Sequence, residues 1–427
     1  MSVLFNGRRA ADLMRAAGLD AIVATSAVNV AYLCGYQNRL EVETKEFMLR
    51  PGGGVGAAFT TLGAAILGAR RPILAVHGLF AAGAAGLYAS IYPFGRTDLD
   101  FANGRRSAGA LARALEDDRW ASPSDALAAA LRDHGVDRGR IGVELAGLST
   151  SERRLLAGAL PHADLRDCTT LFRILRAVKT KAEIELLRDA AQTAEHAAWG
   201  SLDGARPGAT LDELARRFGA FLAEDGAEID HFAFSPRGIG IAMHSNATLR
   251  GEVAYLDFGC IRRLVRSDTG LTVAFRTPGR DLTARFQTLA DAVAAGAERL
   301  RAGASTSSVW SAMRTAIDGT GVVSSPQGHG IGLQAREYPL IGPSSRARIR
   351  DDCVNLPGDL ELEARMVVNL EAATFLPGVA SLHVERSFVV GPRGAEPLLA
   401  EPLDRLLVLK RARRGSPSTR PNQRKAS

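Results

Sequence analysis

Cysteine is scarce in this sequence: Cys34, Cys168, Cys260 and Cys353 are the only four in 427 residues, and no two form a CxxC pair. A disulfide framework is therefore not expected, and the reading is a reduced, cytoplasmic setting. No basic–apolar–small segment opens the chain, so no signal peptide is expected. Lysine is rare as well, five of 53 basic residues, a bias we assign to a GC-rich genome rather than to mechanism. Acidic residues are missing from the last 18 positions, which hold seven basic ones: Lys410, Arg411, Arg413, Arg414, Arg420, Arg424 and Lys425. Without them the formal net charge of +7 falls to zero. The neutral body excludes an extended phosphate-binding face, and no nucleic-acid partner is expected. Charge is also absent from Pro72 to Phe94, PILAVHGLFAAGAAGLYASIYPF, a length that could span a bilayer. Its interior is mostly Ala and Gly around His77, so it reads as a buried strand, a small-residue helix and a second strand, with no membrane partner.

Apolar residues, by contrast, are plentiful. They make up 46% of the chain against 23% charged, and the length allows two or three packed domains. From Arg8 to about Asp167, helical stretches such as ADLMRAAGLD alternate with short apolar runs such as AIVATS, the pattern of an α/β domain. After Lys179 the segment to Leu202 has apolar residues at helical spacing, and LDELARRFGAFLAEDG follows, with Thr210 and Glu213 at capping-box spacing. Beyond Ile229 strands dominate (VAYLDFGCI, RMVVNLEAATF, HVERSFVV), with one helical interlude expected at Leu282 to Ala302. The expected organisation is an α/β domain over residues 1–168, an α+β domain with a curved antiparallel sheet over 169–409, and a basic disordered tail over 410–427.

Three segments of the second domain place acids or imidazoles inside otherwise apolar strands, where an unpaired charge is expensive. A turn at Arg262–Arg263 in VAYLDFGCIRRLVRSDTGLTV would set Asp257 opposite Asp268 on an antiparallel hairpin. In VVNLEAATFLPGVASLHVERSF, a turn at Pro377–Gly378 sets Glu371 opposite Glu385. Like charges so opposed destabilise a ladder and push one pKa up unless a cation lies between them. QGHGIGLQ adds His329 between glycines. Four carboxylates and an imidazole suit two divalent transition-metal ions, manganese first, with cobalt, iron or zinc as alternatives.

Asp, a second Asp eleven residues on, His within GHGIG, then two strand Glu: this order resembles the pita-bread metallo-hydrolases, namely methionine aminopeptidase, aminopeptidase P, prolidase and creatinase. NVAYLCGY, RAVKTKAEIELLRDAA and EVAYLDFG resemble the family's N-terminal domain, the start of its catalytic domain and its first ligand strand. The resemblance implies Asp257, Asp268, His329, Glu371 and Glu385 as metal ligands, with Asp268 and Glu385 bridging. The long N-terminal domain points to the aminopeptidase P, prolidase and creatinase branch, and the resemblance implies a homodimer. In such a site Glu371 would pass the proton of the attacking water and His244, in AMHSN, would steady the carbonyl oxygen.

The sequence also departs from the family. Arg336 stands where proline-specific members carry a second His, leaving only Glu337 and Pro339 of an HExP-like stretch. Leu271 replaces an Arg after the second Asp, Ala372–Ala373 replaces the PG of an EPG, and Arg365–Met366 replaces GM. His383 stands where relatives often have Arg. Arg336 and His383 are read as substrate-binding. The first reading is a hydrolase of amide-type C–N bonds nearest to Xaa-Pro aminopeptidase or dipeptidase, acting on short peptides. The second keeps the metals and takes a small non-peptide substrate of guanidino, cyclic-amidine or specialised-metabolite type. The third is a silent scaffold, against which five intact ligands argue.

Overall fold

A computed structural model of the chain describes residues 4–37, 60–84, 86–95, 120–203, 205, 208–235, 238, 240–243, 253–274, 276–400 and 406–408. The N-terminal unit is a six-stranded mixed sheet of β1 (Ala21–Ala24), β2 (Leu62–Ile66), β3 (Ile73–His77), β4 (Ser90–Phe94), β5 (Arg140–Val143) and β6 (Asp164–Asp167), in the order β4-β3-β2-β1-β5-β6. Strands β1 to β3 are buried at every residue. They read as continuous apolar runs because both faces of the sheet are covered. One core layer sets Ile22, Leu74 and Val76 against Tyr32 and Phe172, and the other sets Val23, Ile73 and Ala75 against Leu127 and Leu131. The charge-free segment resolves as expected into β3, two short helical turns (Gly78–Phe80 and Ala81–Ala84) and β4. Among the described residues no helix is long and apolar enough to cross a membrane. The basic tail 410–427 lies outside the described residues.

The C-terminal unit is a second sheet. Its strands are β7 (Glu228–Ser235), β8 (Val253–Arg262), β9 (Val265–Arg266), β10 (Thr269–Ala274), β11 (Gln327–Gly330) and β12 (Glu337–Ile341). After a small hairpin, β13 (Arg348–Arg350) with β14 (Asn355–Pro357), come β15 (Val367–Leu376) and β16 (Ala380–Val390). The main path runs β12-β11-β15-β16-β10-β8-β7, and every neighbour pair on it is antiparallel. Helices Lys181–Leu202 and Leu211–Glu224 pack against Phe232, Phe234, Leu256 and Phe258, while Arg280–Arg299 and Thr306–Ile317 pack against Val368, Leu370, Leu382 and Val384. Because strand side chains alternate, residues 231, 257, 371, 383 and 385 point to the other face.

Two helices stand where one interlude was expected. Thr306–Ile317 begins with TSS, residues that favour caps and turns, and only the buried series Val309, Met313, Ile317 marks its core face. Thr210 caps its helix by accepting from the Glu213 N–H at 3.1 Å. Complete reciprocal boxes are at Ser149 with Glu152 and at Thr180 with Glu183, where the long helix begins.

Glu183 is fully buried, and burial pushes its carboxyl up to about 7 against the pull of Lys179. The unfolded chain ionises this group near its ordinary 4.5, so the folded state holds an extra proton between the two values. Stability should therefore fall as pH rises from about 4.5 to 7, by on the order of 3 kcal/mol if this group acts alone. Glu183→Gln retains the capping geometry and should flatten that part of the stability profile. Melting temperatures at pH 5 and pH 8 check it; an unchanged slope in the variant would show that other groups set it.

Candidate metal centre

Register assembles the site. Ala233, Asp257, Gly270, Glu385, Glu371 and Gln327 form one cross-strand row over β7, β8, β10, β16, β15 and β11. Glu371 opposes Glu385, the pairing expected from the turn at Pro377–Gly378, where Gly378 has φ 78°. Gly270 sits between Asp257 and Glu385, and a Cβ there would lie 2.2 Å from the His383 ring and 2.8 Å from the Glu385 Cβ. The acids close in over the row because this position has no side chain.

The first hairpin differs from expectation. Its turn is Arg263–Leu264, with φ of 48° and 78°, so Arg262 pairs with Val265 and Asp257 faces Gly270 rather than Asp268. Two consecutive left-handed residues match the twist of a tight hairpin, a geometry normally signalled by Asn or Gly and unmarked in RRLV. A slip of two residues preserves the face, so Asp257 and Asp268 remain neighbours on the diagonal.

The site contains a residue the sequence reading passed over. His231 Nε2 donates to Asp257 Oδ1 at 3.0 Å and lies 3.2 Å from Asp268 Oδ1. A register shift between Ile229 and His231 aims it there, since bulges re-aim a strand side chain. The available signal was an imidazole at the start of the apolar run HFAF. Tyr255, also unflagged, donates to Asp257 Oδ2 at 3.4 Å and stacks on His383 at 4.3 Å between ring centroids.

Three overlapping groups of potential ligands result: His231, Asp257 and Asp268; Asp268, His329 and Glu385; and Glu371, His383 and Glu385. Asp268 and Glu385 each belong to two of them. His383, read from sequence as substrate-binding, has no exposed surface, and its Nε2 lies 3.4 Å from Glu371 Oε2 and 3.6 Å from Glu385 Oε2. It faces the carboxylates here, not an open surface. Arg336 stands at the rim, its side chain 63% exposed and one guanidinium nitrogen 3.4 Å from Glu371 Oε1. His244 lies outside the described residues.

Electrostatics follow from the crowding. Burial, then the charges of Asp268, Asp257 and Glu371, raise Glu385 well above the ordinary carboxylate range. Burial would also raise Asp257 and Glu371, but hydrogen bonding to His231 holds the first below its usual value and His383 does the same for the second. His231 is lowered by burial and raised further by Asp257 and Asp268, to about 10. The buried atoms His329 Nε2 and Glu385 Oε2 have no hydrogen-bond partner among the described residues. Buried polar atoms without partners are costly, and a cation among them would satisfy both while neutralising the acids. The residues present therefore fit divalent metal ions, with hard oxygen donors and imidazole nitrogen together favouring transition metals.

A curved antiparallel sheet with helices on one face and this donor set on the other defines a metallo-hydrolase of the pita-bread fold. The chain belongs to metallopeptidase family M24: the model of that family matches residues 185–392, and the creatinase/prolidase N-terminal domain matches residues 83–178. It is 26% identical to the Xaa-Pro dipeptidase of Lactobacillus helveticus over 286 residues, 64% of this chain and 73% of that protein. The structure resembles the Xaa-Pro dipeptidase from Bacillus anthracis (TM-score 0.70, 20% identity, 94% of this chain and 99% of that one). It is also similar to the X-Pro aminopeptidase from Thermotoga maritima MSB8 (TM-score 0.70, 18% identity, 93% and 99%).

Proposed function

We propose that this protein is a dinuclear hydrolase of an amide-type C–N bond, nearest in action to the Xaa-Pro peptidases. Asp257, Asp268, His329, Glu371 and Glu385 would hold the two ions, with Asp268 and Glu385 shared between them. The observation that carries the reading is that Asp268 and Glu385 meet at His329 and each join a second potential ligand group, with His329 Nε2, His383 Nε2 and Glu385 Oε2 left without hydrogen-bond partners among the described residues. Such ions supply Lewis acidity to the scissile carbonyl and to the attacking water. Glu371 is oriented by Gln327, whose amide donates to Oε1 at 2.8 Å, and its other oxygen faces His383. Held below its usual pKa, Glu371 is ionised and able to take the proton of the attacking water and deliver it to the departing nitrogen. His244 is assigned, by its place in AMHSN, to steady the carbonyl oxygen. Manganese as first metal, a homodimer and a cytoplasmic setting belong to the same reading, supported by the resemblance and the scattered cysteines. Protein reconstituted with manganese should hold two ions per chain and cleave Xaa-Pro peptides; fewer than one ion per chain would overturn the reading.

Arg336 decides the substrate. Its fork has donors left over beyond the contact with Glu371, placed to clamp an anionic group such as a peptide carboxylate. Arg336→Ala should then raise KM for a substrate with a free carboxylate by roughly 10- to 100-fold, the size of a lost charged hydrogen bond, with little effect on the amidated peptide. Arg336→His, which restores the family's imidazole, should weaken that binding too. Undiminished cleavage by Arg336→Ala would show that the clamp is not there. The loss of the second family imidazole and the rewritten motifs are what favour a non-peptide substrate. Turnover of guanidino or cyclic-amidine compounds with peptides near background would select that alternative.

A further inference from the structure

We propose that His231 is itself a metal ligand, so that the ion held by Asp257 and Asp268 has a nitrogen donor of its own, as the ion beside His329 does. The inference rests on the dinuclear reading and adds a sixth residue to it. His231 has both ring nitrogens engaged. Nδ1 lies 3.0 Å from Asp230 Oδ2, and Nε2 is shared between one oxygen of Asp257 and one of Asp268. Asp230 is in turn paired with Arg266, whose Nε donates to the Leu333 carbonyl at 3.2 Å. A carboxylate on one ring nitrogen orients the other and raises its basicity, the arrangement that metal-ligating histidines almost always show.

The backbone makes room for the ring. His231 pairs with Gly259, where a Cβ would lie 2.5 Å from the imidazole Cε1, and the register shift before His231 points the ring across that gap. A histidine serving only to fill the sheet face would need neither device. The chemical consequence is selectivity. A second imidazole raises the site's affinity for cobalt and zinc more than for manganese, because nitrogen donors follow the Irving–Williams order more steeply than carboxylates do.

The test is metal binding to the full chain, with cobalt(II) and manganese(II) as probes, using wild type, His231→Ala, His231→Gln and Asp230→Asn, each checked for folding by its melting curve. Wild type should bind two cobalt ions. Both His231 variants should bind one ion as before and the other roughly 10- to 100-fold more weakly, with a changed cobalt absorption spectrum for that ion. The loss should be smaller for manganese, and Asp230→Asn should fall between, with the ring retained. Two ions bound by folded His231→Ala with wild-type affinity and spectrum would overturn the inference while leaving the dinuclear reading intact. So would a wild type with one ion and a variant with two, since the ring would then be standing in for a metal. A folded wild type that binds neither ion would overturn the dinuclear reading together with this one.

Discussion

Asp268→Asn and Glu385→Gln should each give a folded protein whose turnover of an Xaa-Pro peptide has fallen by on the order of 10³-fold or more. A Lewis acid at the scissile carbonyl contributes several kcal/mol of transition-state stabilisation, and each 1.36 kcal/mol lost is tenfold in rate. Both residues belong to two of the three potential ligand groups, so in the proposed dinuclear site one substitution would disturb both ions at once. Folding should survive because the changes are isosteric and because the metal-free site is overcharged. Glu385 is fully enclosed and raised by its burial and by three neighbouring carboxylates, so folding at neutral pH must protonate it or bear their repulsion, and a neutral amide avoids both costs. The metal-free melting temperature of Glu385→Gln should therefore equal or exceed that of the wild type, while metal-induced stabilisation shrinks. Steady-state kinetics and thermal melts with and without manganese read both effects. Wild-type turnover in either variant would remove that residue from the site.

Lys179→Met alone should destabilise the protein by about 3–5 kcal/mol, because it takes the closer of two cations from a buried carboxylate. Lys179 Nζ donates to Glu337 Oε2 at 2.9 Å and to the Arg176 carbonyl at 2.8 Å, and Lys179 and Glu337 side chains are 0% and 1% exposed. Arg176 lies 3.4 Å from the other Glu337 oxygen and donates to Asn29 Oδ1 at 2.9 Å; Asn29 in turn donates to Glu144 at 2.6 Å. The chain of contacts ties β12 to the helix and strand ends of the N-terminal unit. Burial alone would raise the Glu337 carboxyl, but Lys179 and Arg176 hold it below its ordinary value. Glu337 adjoins Arg336, so loosening β12 should also raise KM. Urea midpoints for Lys179→Met, Glu337→Gln and the double variant are the measurement. The double variant should lose less than the sum of the singles, since neither partner is then left charged and alone. Additive losses would mean the two side chains do not act as a pair.

That network gives the HExP-like remnant a structural meaning that spacing did not disclose. Glu337 and Pro339 read from sequence as what was left of a catalytic motif. In the fold Glu337 is the buried anchor of the segment carrying Arg336, and only burial distinguishes an anchor from a solvated acid. His383 shows the same limit: two positions from Glu385 in sequence, it could have faced the substrate. The alternation of β16 and the stack on Tyr255 turn it onto the carboxylates.

The sequence by itself determined the two-unit architecture, the strands that carry the clustered acids and the Glu371–Glu385 register. These follow from hydrophobic period, from acids inside apolar runs and from a Pro–Gly turn, all properties of neighbouring residues. The tertiary structure alone decided the Arg263–Leu264 turn, the inclusion of His231, the enclosure of His383 and the role of Glu337. A left-handed pair without glycine is held by the strands on either side of it, a bulge takes its direction from the partner strand, and a buried charge is stable only where distant segments deliver its counter-ion. Those energies arise between residues far apart in the chain, so no local pattern records them.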